Sequence, residues 1–509
     1  MTASAKTDAT FASVIDPELV RKLDELCYPK SVAIIGASEQ FIKWGSMLTA
    51  NLIHGGFAGA VYPIHPKAKT ILGRTAYPTL QACPGPVDLA FITVPKEKVL
   101  PSIDECAAVG VKNLVIVTSG FSETGAAGAE LEREVVAKAR AAGMRLLGPN
   151  TMGMISTRQK LCMTGSVATP LAGGISMISQ SGNLGAQVMM WAEEQDVGVN
   201  KFFGSGNEAD LTCTDLLAYL GQDDSTTAIL AYLEGVDNGQ RFLRVAHDVA
   251  LRKPIVLLKS GRTDEGARAA ASHTGALSGS NEIWRGAMRQ AGVILVKHPM
   301  DLIDGAAGLE NLPMPEGNRV CVITLGGGWG VVATDLCNEY SLTLPSLPAD
   351  IIAKLDGILP SFWSRSNPVD LVGQVDPVLY STALELAMQS PAFDAVITLG
   401  LIGSSSFAYE IAEAAHSIAP ETVSDETLTQ FAGIRDSFEM MFRKDIARMV
   451  KQYGKPVVNV SLDKRHNRVI LPVDGGEKIV AFNTPEKAVR VLAGMTLYQW
   501  WRKQNLKRG

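Results

Sequence analysis

A chain of 509 residues has room for roughly three domains of about 150 residues each, which excludes a single small module. Its make-up, 46% hydrophobic and 19% charged with a formal charge of −5 from 47 basic and 52 acidic side chains, is that of a soluble globular protein with several apolar cores. It argues against disorder and against a large basic surface for nucleic acid. The seven cysteines are odd in number, widely spaced and never in a CxxC pair, so neither a disulfide framework nor a zinc site is expected and a reducing cytoplasm fits. Residues 1–20 read as a tail without the apolar segment of a secretion signal, and no run of about 18 apolar residues predicts a membrane span.

From residue 31 onward, Val- and Ile-rich runs, each followed by Gly or Ser and then by helical periodicity, recur almost to the end. This is the pattern of βαβ units. SVAIIGAS, AVYPIHP, VDLAFITVP, NLVIVTSG and RLLGPN predict parallel strands covered on both faces and a doubly wound domain over 21–152. GGISMISQSG, VNKFFGSGN, TAILAYLEG, KPIVLLKSG and GVILVKH predict a second domain over 153–311. The Pro- and Gly-bearing stretch 312–318 reads as a linker. RVCVITLGGGWGVVATDL, AVITLGLIG and PVVNVSL place a third domain over 319–509, with a mostly helical stretch near 405–452 broken at Pro420. The expected fold class is α/β, with three doubly wound domains.

Gly36-Ala37-Ser38 ends the first strand ahead of a helix near Gly45. At that edge of an open sheet, free helix N–H groups can meet a nucleotide or pyrophosphate; a tight turn with no ligand is the competing reading. The full GxGxxG fingerprint is missing, which weakens NAD binding. Val94-Pro95 and the loop carrying Ser119, Gly120, Phe121 and Glu123 fall at the same edge and would complete one cleft. In the second domain, Ser179-Gln180-Ser181-Gly182-Asn183 stands between a strand and a helix. It suits a phosphoryl group, although Ser and Asn also cap ordinary helices. His273 lies in the small-residue run AASHTGALSGS, with no bulky neighbour in sequence to bury it. A neutral imidazole there is available as a nucleophile that could carry a phosphoryl group if a carboxylate fixed its tautomer; Glu234, at the end of TAILAYLEG, is the candidate carboxylate. No P-loop, HExxH, GxSxG or EF-hand motif is present, and no metal site is expected. Cys213 and Cys337 read as packing residues.

Together these blocks resemble the NDP-forming acyl-CoA synthetases, the superfamily of succinyl-CoA synthetase and ADP-forming acetate–CoA ligase, from about residue 21 to 500. SVAIIGASEQFIKWG resembles the opening of the family's CoA-binding domain, with Lys43 and Gly45 at the family spacing, and VYPIHPK, VDLAFITVP, VTSGFSETG and GPNTMG match successive blocks. SQSGNLG, GSGNEADL and above all SHTGALSGS resemble the second domain; GGGWGVVATD and SNPVDLVG resemble a ligase-type third domain. The resemblance implies a Rossmann-like CoA-binding domain followed by two flavodoxin-like domains of the succinyl-CoA-synthetase type. It implies that His273 is phosphorylated transiently with Glu234 in support, and that Ser179, Gln180, Ser181, Gly182 and Asn183 cradle the phosphoryl group. CoA would lie along Gly36, Ala37, Ser38, Lys43, Val94, Pro95 and residues 119–123. Phe41, His65 and Trp329 depart from the residues common in the family.

The implied reaction passes phosphate from ATP to His273, then to a small carboxylic acid, and the CoA thiol attacks the acyl phosphate. ATP, with Mg2+, is held in the family by an ATP-grasp domain, and no segment here reads as one. The expectation is therefore an α-type subunit of a hetero-oligomer, with an ATP-grasp β-type partner. A catalytically idle CoA-binding regulatory or scaffold protein of the same fold is the alternative, and His273, Glu234 and the SQSG turn all stand against it. An NAD-type dehydrogenase is a third reading, which CoA binding without NAD binding would dispose of.

Overall fold

The protein is described from a computed structural model over residues 16–266, 268, 280–461, 463 and 468–507. His273 lies outside the described residues. The chain packs into two compact units, Met1–Ile303 with Asn505–Gly509, and Asp304–Gln504.

The first unit begins with helix α1 (Pro17–Cys27), where Asp16 accepts the Glu18 N–H at 2.9 Å and proline occupies the first turn, an N-terminus set by sequence. Five strands form the first sheet: β1 (Ser31–Ile35), β2 (Ala60–Ile64), β3 (Leu89–Ile92), β4 (Asn113–Ile116) and β5 (Arg145–Leu147). All are parallel, in the order β2-β1-β3-β4-β5. Every residue of β1, β3 and β4 is buried, as parallel strands covered on both faces must be. Helix α2 (Trp44–His54) follows β1. After β2, the Nδ1 atom of His65 accepts the N–H groups of Lys67 at 3.2 Å and Ala68 at 2.9 Å. The imidazole thus closes the turn as an asparagine side chain would, which accounts for one departure from the family pattern.

The second sheet of this unit contains β6 (Gly153–Ser156), β7 (Leu161–Thr164), β8 (Ala172–Ser179), β9 (Val199–Gly204), β10 (Ala228–Leu233), β11 (Ile255–Lys259) and β12 (Ile294–Val296). Their order is β12-β11-β10-β8-β9-β6-β7, with β6 and β7 antiparallel at the edge. The five parallel strands repeat the arrangement of the first sheet, an order whose strand ends open into a crevice beside the first strand. In the second unit, Val320–Thr324, Ala395–Leu399 and Val457–Val460 run parallel at the centre of a six-stranded sheet. The expected helical stretch is two helices, Ser406–Ile418 and Asp425–Tyr453, with Pro420 between them. Ser424 caps the second by accepting the Thr427 N–H at 3.2 Å. Cys213 and Cys337 are buried, and burial pushes both thiols up, Cys337 to about 12, so both are inert packing groups. Among the described residues no helix is long and apolar enough to cross a membrane.

Candidate active site

In the second sheet, β8 and β10 are neighbours, with Ser179 opposite Tyr232. The chain leaves β8 through Ser179-Gln180-Ser181 into helix α3 (Gly182–Glu194) and leaves β10 through Glu234-Gly235. The two sequence-predicted groups therefore meet at one switch point. Ser181 caps α3 by accepting the Leu184 N–H at 3.4 Å. Gly182 and Asn183, in the first turn, present N–H groups that have no intrahelical acceptor, next to the positive end of the helix dipole. Ser179 is fully buried and its hydroxyl donates to Ser181 O at 2.7 Å, holding the turn.

Gln180 turns its side chain inward. Its Oε1 accepts the N–H of Glu234 at 2.5 Å and of Gly235 at 3.2 Å. Its Nε2 donates to Glu208 Oε1 and to Gly235 O, each at 2.9 Å. Both amide hydrogens are thereby used within the protein, so Gln180 clamps the Glu234 loop and leaves the anion-facing part of the turn to backbone groups. Glu234 is 8% exposed, and the Tyr232 hydroxyl lies 3.4 Å from its Oε1. This is a carboxylate held nearly out of water beside a helix N-terminus.

Two further residues belong to this cluster and were not foreseen. Lys259 ends β11, paired with Leu233, and is 5% exposed. Its Nζ donates to Glu234 O at 2.7 Å and to Ser260 O, and lies 5.5 Å from the Trp284 ring. Burial pushes the ammonium's pKa down, against the opposing pull of the Glu234 charge. Glu208 accepts from Gln180, from Ser205 Oγ at 2.8 Å and from the Cys213 N–H at 2.9 Å, and burial raises its pKa despite those bonds. The lysine was legible as a charge closing an apolar strand; the glutamate, in a polar loop, carried no such signal.

At the corresponding edge of the first sheet, the ends of β1, β3 and β4 bring together Gly36, Ala37 and Ser38, Val94 and Pro95, and residues 119–123. Lys43 is exposed just ahead of α2. Gly36 has φ +93°, and a Cβ on Gly45 would lie 2.0 Å from Gly36 O, so both glycines are required for the helix to start against the turn. Gly45→Ala is expected to cost about 1–3 kcal/mol from overpacking and to weaken CoA binding, read by thermal melting and calorimetric titration; an unchanged melt and affinity would contradict this geometry. The Phe121 side chain is fully buried in the first core, so only its backbone can face a ligand. Glu123 folds back on its own loop, accepting the N–H groups of Gly120 at 2.5 Å and Phe121 at 3.2 Å. Burial pushes the Glu123 carboxyl up, but these bonds and one from Asn207 outweigh it and hold it below its ordinary value.

Residues 30–157 match the CoA binding domain family, 172–309 the succinyl-CoA ligase like flavodoxin domain and 320–471 the ligase-CoA domain. The chain is 41% identical over 384 residues to the acetate–CoA ligase [ADP-forming] I subunit alpha of Pyrococcus furiosus, covering 74% of this chain and 82% of that one. It is 41% identical over 377 residues to the acetate–CoA ligase [ADP-forming] I of Archaeoglobus fulgidus, covering 74% of this chain but 54% of the relative, so it spans about half of that protein. A solved structure of acetyl-coenzyme A synthetase 1 from Ca. Korarchaeum cryptofilum, in complex with phosphate and ADP, is 34% identical with a TM-score of 0.80, covering 96% of this chain and 98% of that chain. Three such domains in this order define the class of NDP-forming acyl-CoA synthetases. The chain belongs to the ADP-forming acetate–CoA ligase family.

Proposed function

We propose that this chain is the α-type subunit of an ADP-forming acid–CoA ligase, which makes acyl-CoA from a small carboxylic acid, CoA and ATP with an ATP-grasp β-type subunit that holds ATP and Mg2+. The observation that carries the reading is the junction of Glu234 with the Ser179–Gln180–Ser181 turn at the switch point of the second sheet. A relative named as an α subunit, covered over 82% of its length, supports the separate partner, and the ligase names of the relatives leave the idle alternative without support.

In this reading a nitrogen of His273 attacks the γ-phosphorus of ATP and ADP leaves. Glu234 fixes the imidazole tautomer and offsets the positive charge that develops on the ring. The helix start at Gly182 and Asn183 receives the phosphoryl oxygens through backbone N–H groups, and buried Lys259 adds positive charge behind Glu234. The phosphoryl group next passes to a carboxylate oxygen of the acid: the N–P bond breaks and an O–P bond forms. The CoA thiol, losing its proton, then attacks the acyl carbon and phosphate leaves. CoA lies along the crevice of the first sheet, where Gly36 and Gly45 leave no room for side chains. A panel of carboxylic acids assayed with CoA, ATP, Mg2+ and the reconstituted partner tests the proposal. Acyl-CoA, ADP and phosphate are expected in equal amounts from at least one acid; AMP in place of ADP, or no acyl-CoA from any acid, would refute it.

A further inference from the structure

Asn207 and Glu208 are consecutive, yet their side chains bond loops at two different sheets of the first unit. Asn207 Nδ2 lies 2.6 Å from Glu123 Oε2, 2.8 Å from Glu132 Oε2 and 3.1 Å from Ser122 Oγ. Its Oδ1 accepts from Asn150 Nδ2 at 3.2 Å and its N–H donates to Pro149 O at 2.9 Å. Two carboxylates thus converge on one amide, and through Glu123 that amide closes the loop at residues 119–123. Glu208, one residue on, holds Gln180, and Gln180 holds the Glu234 N–H. Two runs of hydrogen bonds, Glu123 to Asn207 and Glu208 through Gln180 to the Glu234 N–H, are therefore joined by the covalent chain between Asn207 and Glu208.

The connecting backbone is fixed rather than slack. Glu208 has φ +57°, a left-handed conformation that costs energy for a residue with a side chain. The flanking N–H groups of Ala209 and Leu211 donate to Gly148 O at 3.1 Å and Leu146 O at 3.3 Å, and Asp210 binds Arg140 Nε and Arg145 Nε, each at 2.8 Å. A shift in the 119–123 loop is thus carried to Glu208 by groups with little freedom to absorb it.

We propose that Asn207 and Glu208 are positioning residues through which CoA, seated against residues 119–123, sets the alignment of Glu234 and so governs discharge of the phosphoryl group to the acid. The inference rests on the function proposed above. It makes desulfo-CoA, which lacks the reacting sulfur, an activator of a step in which it takes no chemical part: N–P bond cleavage at His273 and O–P bond formation on the carboxylate.

The test uses the full chain with its partner, phosphorylated from labelled ATP and freed of nucleotide. Discharge is then timed with acetate, or the fastest acid of the panel, with and without desulfo-CoA. The ratio of the two rates is the readout, because a merely structural loss lowers both rates alike. In the wild type the ratio is expected to be about tenfold, within the usual range of site-to-site coupling, and to fall below about twofold in Asn207→Ala and in the isosteric Glu208→Gln, the second serving if the first fails to fold. A wild-type ratio near one overturns the proposal without any variant, as does a wild-type ratio retained in a folded variant. A wild type that takes up no label instead refutes the proposed function itself, so the two failures are distinct.

Discussion

Replacing Glu234 with glutamine is expected to slow phosphorylation of His273 by about 10²- to 10⁴-fold, the usual weight of a positioned acid–base group, while the protein stays folded. The backbone N–H of Glu234 that bonds Gln180 is untouched by the change, and the amide has nearly the volume of the carboxyl group it replaces. What disappears is the charge that, in the proposed mechanism, fixes the imidazole tautomer and stabilises the ring as it becomes positive. Rapid-quench measurement of phosphoenzyme formation, with a thermal melt as control, reads the effect. An unchanged rate in a folded variant would remove Glu234 from the mechanism.

The largest effect on stability is expected at the opposite end of the same sheet. Lys201 is fully buried, its Nζ 2.6 Å from Asp223 Oδ2 and 5.1 Å from the Tyr28 ring centre. Asp223 also accepts from Asn200 Nδ2 at 2.9 Å and from the hydroxyls of Thr226 and Ser225, each at 2.6 Å. Burial pushes the Asp223 carboxyl up, but Lys201 and these neighbours outweigh it and hold its pKa well below the usual range. Lys201→Met leaves that largely buried carboxylate without its cation, and about 3–5 kcal/mol of stability should be lost at pH 7.

The pH dependence has a definite sign. With a folded pKa below the unfolded one, Asp223 contributes stability that is complete above about pH 4 and lost as the pH falls through the folded value. Lys201→Met should therefore lower the urea midpoint most near neutral pH, with a deficit that shrinks as the pH falls and the unpaired Asp223 carboxylate takes up a proton. A loss under about 1 kcal/mol at pH 7, the range of exposed ion pairs, would contradict this account.

Every Val- and Ile-rich run quoted from the sequence contains a strand, because parallel strands buried on both faces have no alternative composition. The strands that escaped are the two-residue strand Val369–Asp370 and Lys478–Phe482, both parallel to a neighbour in the third sheet, and short antiparallel ones. Gly153–Ser156 and Leu161–Thr164 are joined through Lys160 at φ +54°, and Ile470–Pro472 pairs with Lys478–Phe482 across Gly475 and Gly476; none forms a long apolar run. Within the candidate site, Ser179 to Asn183 and Glu234 were legible because each follows a strand directly. The inward turn of Gln180 was not, since its partners Glu208 and Gly235 lie far along the chain, and neither was the burial of Phe121 beneath a loop whose other residues are polar or small.

Detecting phosphohistidine tests the central claim most directly. The full chain, its partner, Mg2+ and ATP labelled at the γ-phosphate are combined, and the labelled residue is located by mass spectrometry under alkaline conditions. An acid-labile phosphoryl group is expected on His273 of the wild type, chased off at neutral pH by the carboxylic acid substrate plus CoA and absent from His273→Ala. A wild type without label, or His273→Ala labelled to the same extent, would contradict it.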